Sequence, residues 1–423
     1  MPEKDNILNF LQDLGTVDQL RALAQEQNGA CQGISNSHIH LPPNFSAFDS
    51  VQEAVDKAAG EDVVALGCGN YYDYSVYTDL VTLTRKHRIF PVFGTEIIAL
   101  DQDLVAQGIR VNDPGNPGKI YICGKGITRF MSLSNKADQY LTKIRQSDAR
   151  RMAEMTTKMG ACFDGCAIHT GLDAQGIVER VAARHQADPS TIVLQERHIA
   201  QAFQERLFDL FPKEARIAKL TELFGTAPKS AVDDPVALQI EIRSVLMKAG
   251  KPCFVPEDFV TLAEAGQLIH ALGGIVCYPV LADGSDPVCE YEADIDALIA
   301  TLRQNQISMV EFIPIRNQPD VLTRYVTQLR AAGFAVVAGT EHNTLDKIPV
   351  EPLCVKSQAI PADLKDIFWE GSCVMAAHQY LVAQGECGFV DQHGQPSTQY
   401  ESAEERIKAF ADLGSAVIRA YRT

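Results

Sequence analysis

The chain has 423 residues, 46% of them hydrophobic and 22% charged, with a formal net charge of −16. That length suits one large barrel with additions or two to three domains, and the negative balance excludes extended binding along a nucleic-acid backbone, which needs a positive surface. There is no apolar run of roughly 18 residues and no basic-then-apolar leader in "MPEKDNILNFLQDLG", and the 11 cysteines include no C-x-x-C pair, so the expectation is a cytoplasmic chain with reduced thiols and no membrane partner.

The first thirty residues read as a helical extension. Runs rich in Val and Ile then predict strands at 34–41, 62–67, 89–100 and 119–124, and again at 274–280, 308–315 and 335–339. Segments of three-to-four-residue apolar spacing lie between most of them, as in "SVQEAVDKAAG", "YTDLVTLTRKH", "YEADIDALIATLRQNQ" and "DVLTRYVTQLRAAGF". This alternation predicts a mostly parallel sheet with crossover helices, either a closed barrel or an open doubly wound sheet. From 132 to 256 the pattern changes to successive helices without a convincing strand. The expected organisation is therefore an extension at 1–30, a first barrel half at 31–131, a helical cap at 132–256, a second half at 257–352 and a helical tail at 353–423.

In either architecture a ligand site gathers at the carboxyl ends of the strands. The first strand ends in "SNSHIHL", and residues i and i+2 of a strand share a face, so His38 and His40 can reach one ion. The third ends in "FPVFGTEI", which puts Glu96 just after a glycine that allows close approach, and a carboxylate there can bridge metal ions. The last runs into "AVVAGTEHNT", offering Glu341, His342 and Asn343. Arg316 and Asn317, after the sixth strand, sit where a substrate would lie, although Asn317 also reads as a helix N-cap. Glu196, Arg197 and His198 fall at a helix N-terminus, a position that favours anions. His169, His270 and His87 read as capping or surface histidines, and Cys68 as a small buried residue.

In order, these pieces resemble the polymerase and histidinol phosphatase (PHP) superfamily of metal-dependent phosphoesterases, over roughly 35–343. "SNSHIHLPPNFSAFDSVQEAVDKA" is similar to its opening H-x-H motif and first helix, and "FPVFGTEI" to the strand with its bridging glutamate. "ALGGIVCYPV" is similar to a Gly-Gly strand that ends in Ala-His-Pro, "VVAGTEHNT" to the closing Gly-Ser-Asp-x-His, and "ERHIAQAF" to an Arg-x-His-x-Ala pattern in the family's insertion. The resemblance implies an α/β fold, a distorted seven-stranded (β/α) barrel of TIM-like, PHP type with a helical insertion. It implies His38, His40, Glu96 and Glu341 as metal ligands, with Arg197 and His198 facing the substrate. The departures are specific: Gly69, Tyr121 with Cys123, Tyr278 and Asn343 stand where the family has ligands, and neutral groups of this kind bind hard cations poorly. One divalent ion (Zn, Mn or Fe) is expected rather than three.

The expected function is a metal-dependent hydrolase of a small anionic or phosphorylated metabolite. Arg197, Arg316 and Lys125 would hold the anion, and His342 would handle the proton. The alternatives are an isomerase or lyase acting on a sugar acid, with Tyr278 or His198 as acid or base, and a non-catalytic binding barrel. The expected partner is a small molecule rather than a nucleic-acid polymer, and a homo-oligomer is compatible with the sequence.

Overall fold

The computed structural model describes residues 7–26 and 33–423, so parts of the expected N-terminal extension and of the predicted 31–131 segment lie outside the described residues. Eight strands are present: β1 (Ile34–Ile39), β2 (Val63–Cys68), β3 (Phe90–Val92), β4 (Gly94–Leu100), β5 (Lys119–Lys125), β6 (Ile275–Val280), β7 (Met309–Phe312) and β8 (Ala335–Ala338). They form a three-stranded sheet, β1-β2-β3, and a five-stranded sheet, β4-β5-β6-β7-β8. Most strand residues are buried, because helices cover the outer faces, and the runs are therefore almost continuously apolar.

Two expectations need correction. The single strand predicted over 89–100 is two, since the ladder changes partner at Phe93. Its N–H donates to Gln379 Oε1 (2.8 Å) and its carbonyl accepts from Ile127 (2.9 Å). The sheet is also less parallel than the alternation suggests: β4–β5 and β5–β6 pair antiparallel, whereas β1–β2–β3 and β6–β7–β8 are parallel. The β4–β5 connection carries only the short helix Gln102–Gln107, so no full crossover helix returns the chain in parallel. Isolated pairings at Ile39↔Glu341 and Tyr71↔Glu96 link the two sheets.

Between β5 and β6 the described residues contain no strand up to Ile275. The helices Asn135–Gly165, Ala174–His185, Glu196–Leu210 and Pro235–Ile242 surround their own apolar cluster, which includes Met155, Met159, Phe163, Ile199, Phe203, Leu238 and Met247. No described helix is long and apolar enough to cross a membrane.

The C-terminal segment is more than a peripheral addition. Helix Ala362–Ala383 is buried along most of its length, and its Gly371 lies so close to β8 that a Cβ there would meet Val336 O at 2.1 Å. Helix Ala403–Arg422 packs on it through Gly414, where a Cβ would lie 1.8 Å from Cys373 O. Neither obstacle is a flexible side chain, so the helices must separate to admit a methyl group. Gly414→Ala is expected to cost roughly 1–3 kcal/mol of stability by overpacking, measurable by urea denaturation.

Candidate metal centre and its cavity

His38 and His40 lie at the end of β1, both fully buried, with ring centroids 5.0 Å apart. Glu96 approaches from β4, two residues after Gly94, where a side chain would collide with Cys68 O at 2.4 Å. The Glu96 Oε2 atom is 3.0 Å from His40 Nε2 and 3.8 Å from His38 Nε2. Among the described residues these three atoms make no well-aligned hydrogen bond, and the His40–Glu96 contact is an ion pair only if the imidazole is protonated. Burying polar atoms unpaired is costly, and three donor atoms aimed at one point would be satisfied together by a cation. Among the described residues His38, His40 and Glu96 form one of two clusters able to hold a metal. Burial keeps the His40 imidazole below its usual pKa, which favours the neutral form that ligates.

The orientation of His38 is fixed from behind. Its Nδ1 lies 2.7 Å from Glu311 Oε2 on β7, so the ring presents Nε2 toward Glu96. Glu311 Oε1 accepts from Lys125 Nζ (2.6 Å) and from Ser37 Oγ (2.5 Å), and Lys125 also donates to Ser37 O at 3.0 Å. Burial opposes ionisation of Glu311, but Lys125 and then His38 outweigh it and hold the carboxyl well below the usual carboxylate range. The second cluster, His38, Cys123 and Glu311, therefore already contains its own cation in Lys125. A carboxylate–histidine pair of this kind sets the tautomer and direction of a ligating imidazole.

A cavity of ≈ 450 Å³ opens beside Glu96, walled by Tyr71, Tyr72, Tyr121 and a dense set of charges. Deep in it Lys119 pairs with Glu257 (2.9 Å) and Asp113 (3.4 Å), while Arg151 pairs with Glu196 (2.8 Å) and Glu257 (3.3 Å). Glu196 also serves Lys248 at 3.0 Å and Arg243 at 3.3 Å. One carboxylate thus answers three cations. Among the described residues Arg197 has only Asn343 Oδ1 (3.2 Å) as hydrogen-bond partner, and burial and the neighbouring Arg243 push its pKa down to about 10. Arg243 Nε is buried without a partner. The cavity is thus lined by six cationic and five acidic side chains, with Arg197 the cation least engaged by an acid.

The remaining sequence candidates divide clearly. Arg197, Arg316 and Glu341 line the cavity. The Glu341 carboxylate, however, is engaged by Arg316 and by Asn343 Nδ2 (2.5 Å), and it stands outside the converging group. Arg316 and then the two histidines keep it below its usual pKa against the effect of burial. Lys125 is corrected from substrate ligand to internal counter-ion of Glu311, since its ammonium is spent there.

His342 is corrected too. Its Nδ1 meets Thr340 Oγ1 (2.7 Å), its Nε2 meets Ile348 O (3.1 Å), and its ring stacks on Phe48, so neither nitrogen is free for proton transfer. Tyr278 points away from the centre, with its hydroxyl donating to buried Glu292 at 2.8 Å. Successive strand residues face opposite ways, and it is Cys277 that lies on the side of Lys125 and Glu311. His198 caps its own helix by accepting from Gln195 N (3.1 Å) and packs on Phe45; burial lowers its pKa to about 3. Asn317 holds the turn after β6 through Leu281 O (2.8 Å) and Asp283 Oδ1 (2.9 Å), and the N-cap of the following helix is Gln318.

Sequence reasoning missed Glu311, Asp148, Arg243 and Lys248. Only Glu311 left a signal: an acid inside the apolar run "MVEF" must find a partner when buried.

No family model matches the sequence, and no curated protein is found similar to it. Among solved structures, a protein of Bifidobacterium adolescentis assigned to the metal-dependent phosphoesterases aligns with TM-score 0.51 and 14% identity, over 80% of this chain and 96% of that one. An amidohydrolase from Chromobacterium violaceum, with bound sulfate and no metal, aligns with TM-score 0.51 and 15% identity, over 78% of this chain and 95% of that one. At these identities the likeness is one of fold alone.

Proposed function

We propose that the protein is a metal-dependent hydrolase of a small anionic substrate, a phosphate ester by preference, built on a divergent PHP-type barrel. The observation that carries this reading is the convergence of three buried ligand atoms on His38, His40 and Glu96 beside a cavity lined by four arginines and two lysines. The pairings Ile39↔Glu341 and Tyr71↔Glu96 support treating the two sheets as one distorted barrel, with β3 and β4 counted as a single strand.

His38, His40 and Glu96 fit one divalent ion, which when bound would supply Lewis acidity to the scissile bond and make water nucleophilic near neutral pH. The chain's own groups do the rest. Arg197, Arg243 and Arg316 hold the anion through charge-assisted hydrogen bonds, and Glu311 keeps Nε2 of His38 turned toward Glu96. The sugar-acid reading needed Tyr278 or His198 as acid or base, and neither lines the cavity. A binding barrel without chemistry leaves the unpaired donors unexplained unless it too holds an ion.

Protein purified without added ions should contain a divalent metal that chelator removes, and reloaded protein should release phosphate from simple phosphate monoesters. Arg197→Ala should keep the metal and raise KM about 10–100-fold, the loss of one or two charge-assisted contacts at ~1.4 kcal/mol per tenfold. Protein that takes up no divalent ion contradicts the proposal.

A further inference from the structure

Asp148 is an acidic group in the cavity that the scheme above leaves unused. It lies within the long helix Asn135–Gly165, is 8% exposed, and lines the same cavity as Glu96 and the arginines. Among the described residues its carboxyl makes no hydrogen bond and no ion pair, in a cavity where Asp113, Glu196 and Glu341 are all paired. Arg151 on its own helix, Lys119 on β5, Tyr72, Glu196 and Glu257 are the charged and titratable groups around it. The two cations are taken by other acids, so Asp148 is left facing the space a substrate would fill. Tyr72, Glu96 and Asp148 all line this one cavity.

We infer that Asp148 is the general acid that protonates the leaving group of the hydrolysed ester. The inference rests on the hydrolase reading. The bond between phosphorus and the ester oxygen breaks as water adds to phosphorus; the Asp148 carboxyl gives its proton to the departing oxygen, and the proton lost by the water restores the acid. Burial, opposed by Arg151 and Lys119, raises this carboxyl to about 7, so it holds a proton at the pH where it is needed.

The test compares two esters. Asp148→Asn with its metal in place should lose about 10²–10⁴-fold in kcat on an alkyl phosphate, whose leaving oxygen needs a proton, and far less on 4-nitrophenyl phosphate, whose does not. Equal losses on both would overturn the assignment. A second readout needs no turnover. Because the folded chain holds the Asp148 proton more tightly than the unfolded one, Asp148→Asn should melt above wild type at pH 8, with the difference vanishing toward pH 4. Infrared difference spectra of wild type minus variant should show a carboxyl that ionises near pH 7. A carboxylate already ionised at pH 5 would sink the inference. Titration as expected in protein that hydrolyses neither ester would instead overturn the hydrolase reading, and the general-acid role with it.

Discussion

Lys125→Met should lower the unfolding free energy by about 3–5 kcal/mol at pH 7, the cost of leaving a buried carboxylate without its counter-charge. Glu311 is fully buried, and the Lys125 ammonium is the nearer of its two partners, at 2.6 Å against 2.7 Å for the His38 ring. The stranded acid would recover part of its neutrality by drawing a proton from solvent, so the variant should gain stability relative to wild type as pH falls. In wild type the sign is opposite. Glu311 titrates well below its unfolded value of 4.5, so its contribution is fully present above that value and is lost as pH falls beneath it. The double variant Lys125→Met/Glu311→Gln should be more stable than the single one, since it removes both charges together. Urea unfolding of wild type and both variants at pH 7, pH 5 and about pH 3.5 checks these statements. A single-variant cost under about 1 kcal/mol would mean that water already screens the pair.

The strand ends were legible because they combine two local signals, an apolar run and polar residues at its carboxyl end. His38 and His40 follow from that, Glu96 joins them through the family resemblance, and the three do converge. Tyr278 shows the limit of these local signals. A strand alternates its faces, so an offset of one residue moves the chosen side chain from the interior to the back, and Cys277 is the neighbour that points inward. His342, one residue ahead of the slot that Asn343 occupies, fails for a different reason: Thr340 and Ile348 O lie within reach and satisfy both of its nitrogens. The antiparallel turn of β4 against β5 could have been read from the missing crossover helix between 100 and 119. The cationic wall could not, since Lys119, Arg151, Arg197, Arg243 and Lys248 come from segments far apart in sequence and meet only when the insertion's helices are placed.

Gly69 is where the resemblance and the geometry conflict most sharply, and a single methyl group there should abolish the metal centre. The family pattern puts a ligand histidine at this position, yet a Cβ at Gly69 would lie 2.2 Å from His38 Nε2, the atom proposed to ligate. The ring has no retreat. Its Nδ1 is anchored on Glu311, and Gly339 packs so closely behind it that a Cβ there would meet His38 Cβ at 2.6 Å. Gly69→Ala must therefore turn His38 away from Glu96, and metal affinity should fall by at least about 10–100-fold, the range seen when a ligand's orienting contact is lost. The accompanying loss of stability should be the roughly 1–3 kcal/mol of an overpacked core. By the same geometry Gly69→His would not rebuild a missing ligand but would displace an existing one, so it should bind metal no better than Gly69→Ala. Metal titration of wild type and both variants decides the matter. Wild-type affinity in Gly69→Ala would show that His38 does not ligate through Nε2, and tighter binding in Gly69→His would show that the centre has lost a ligand rather than been rebuilt around a glycine.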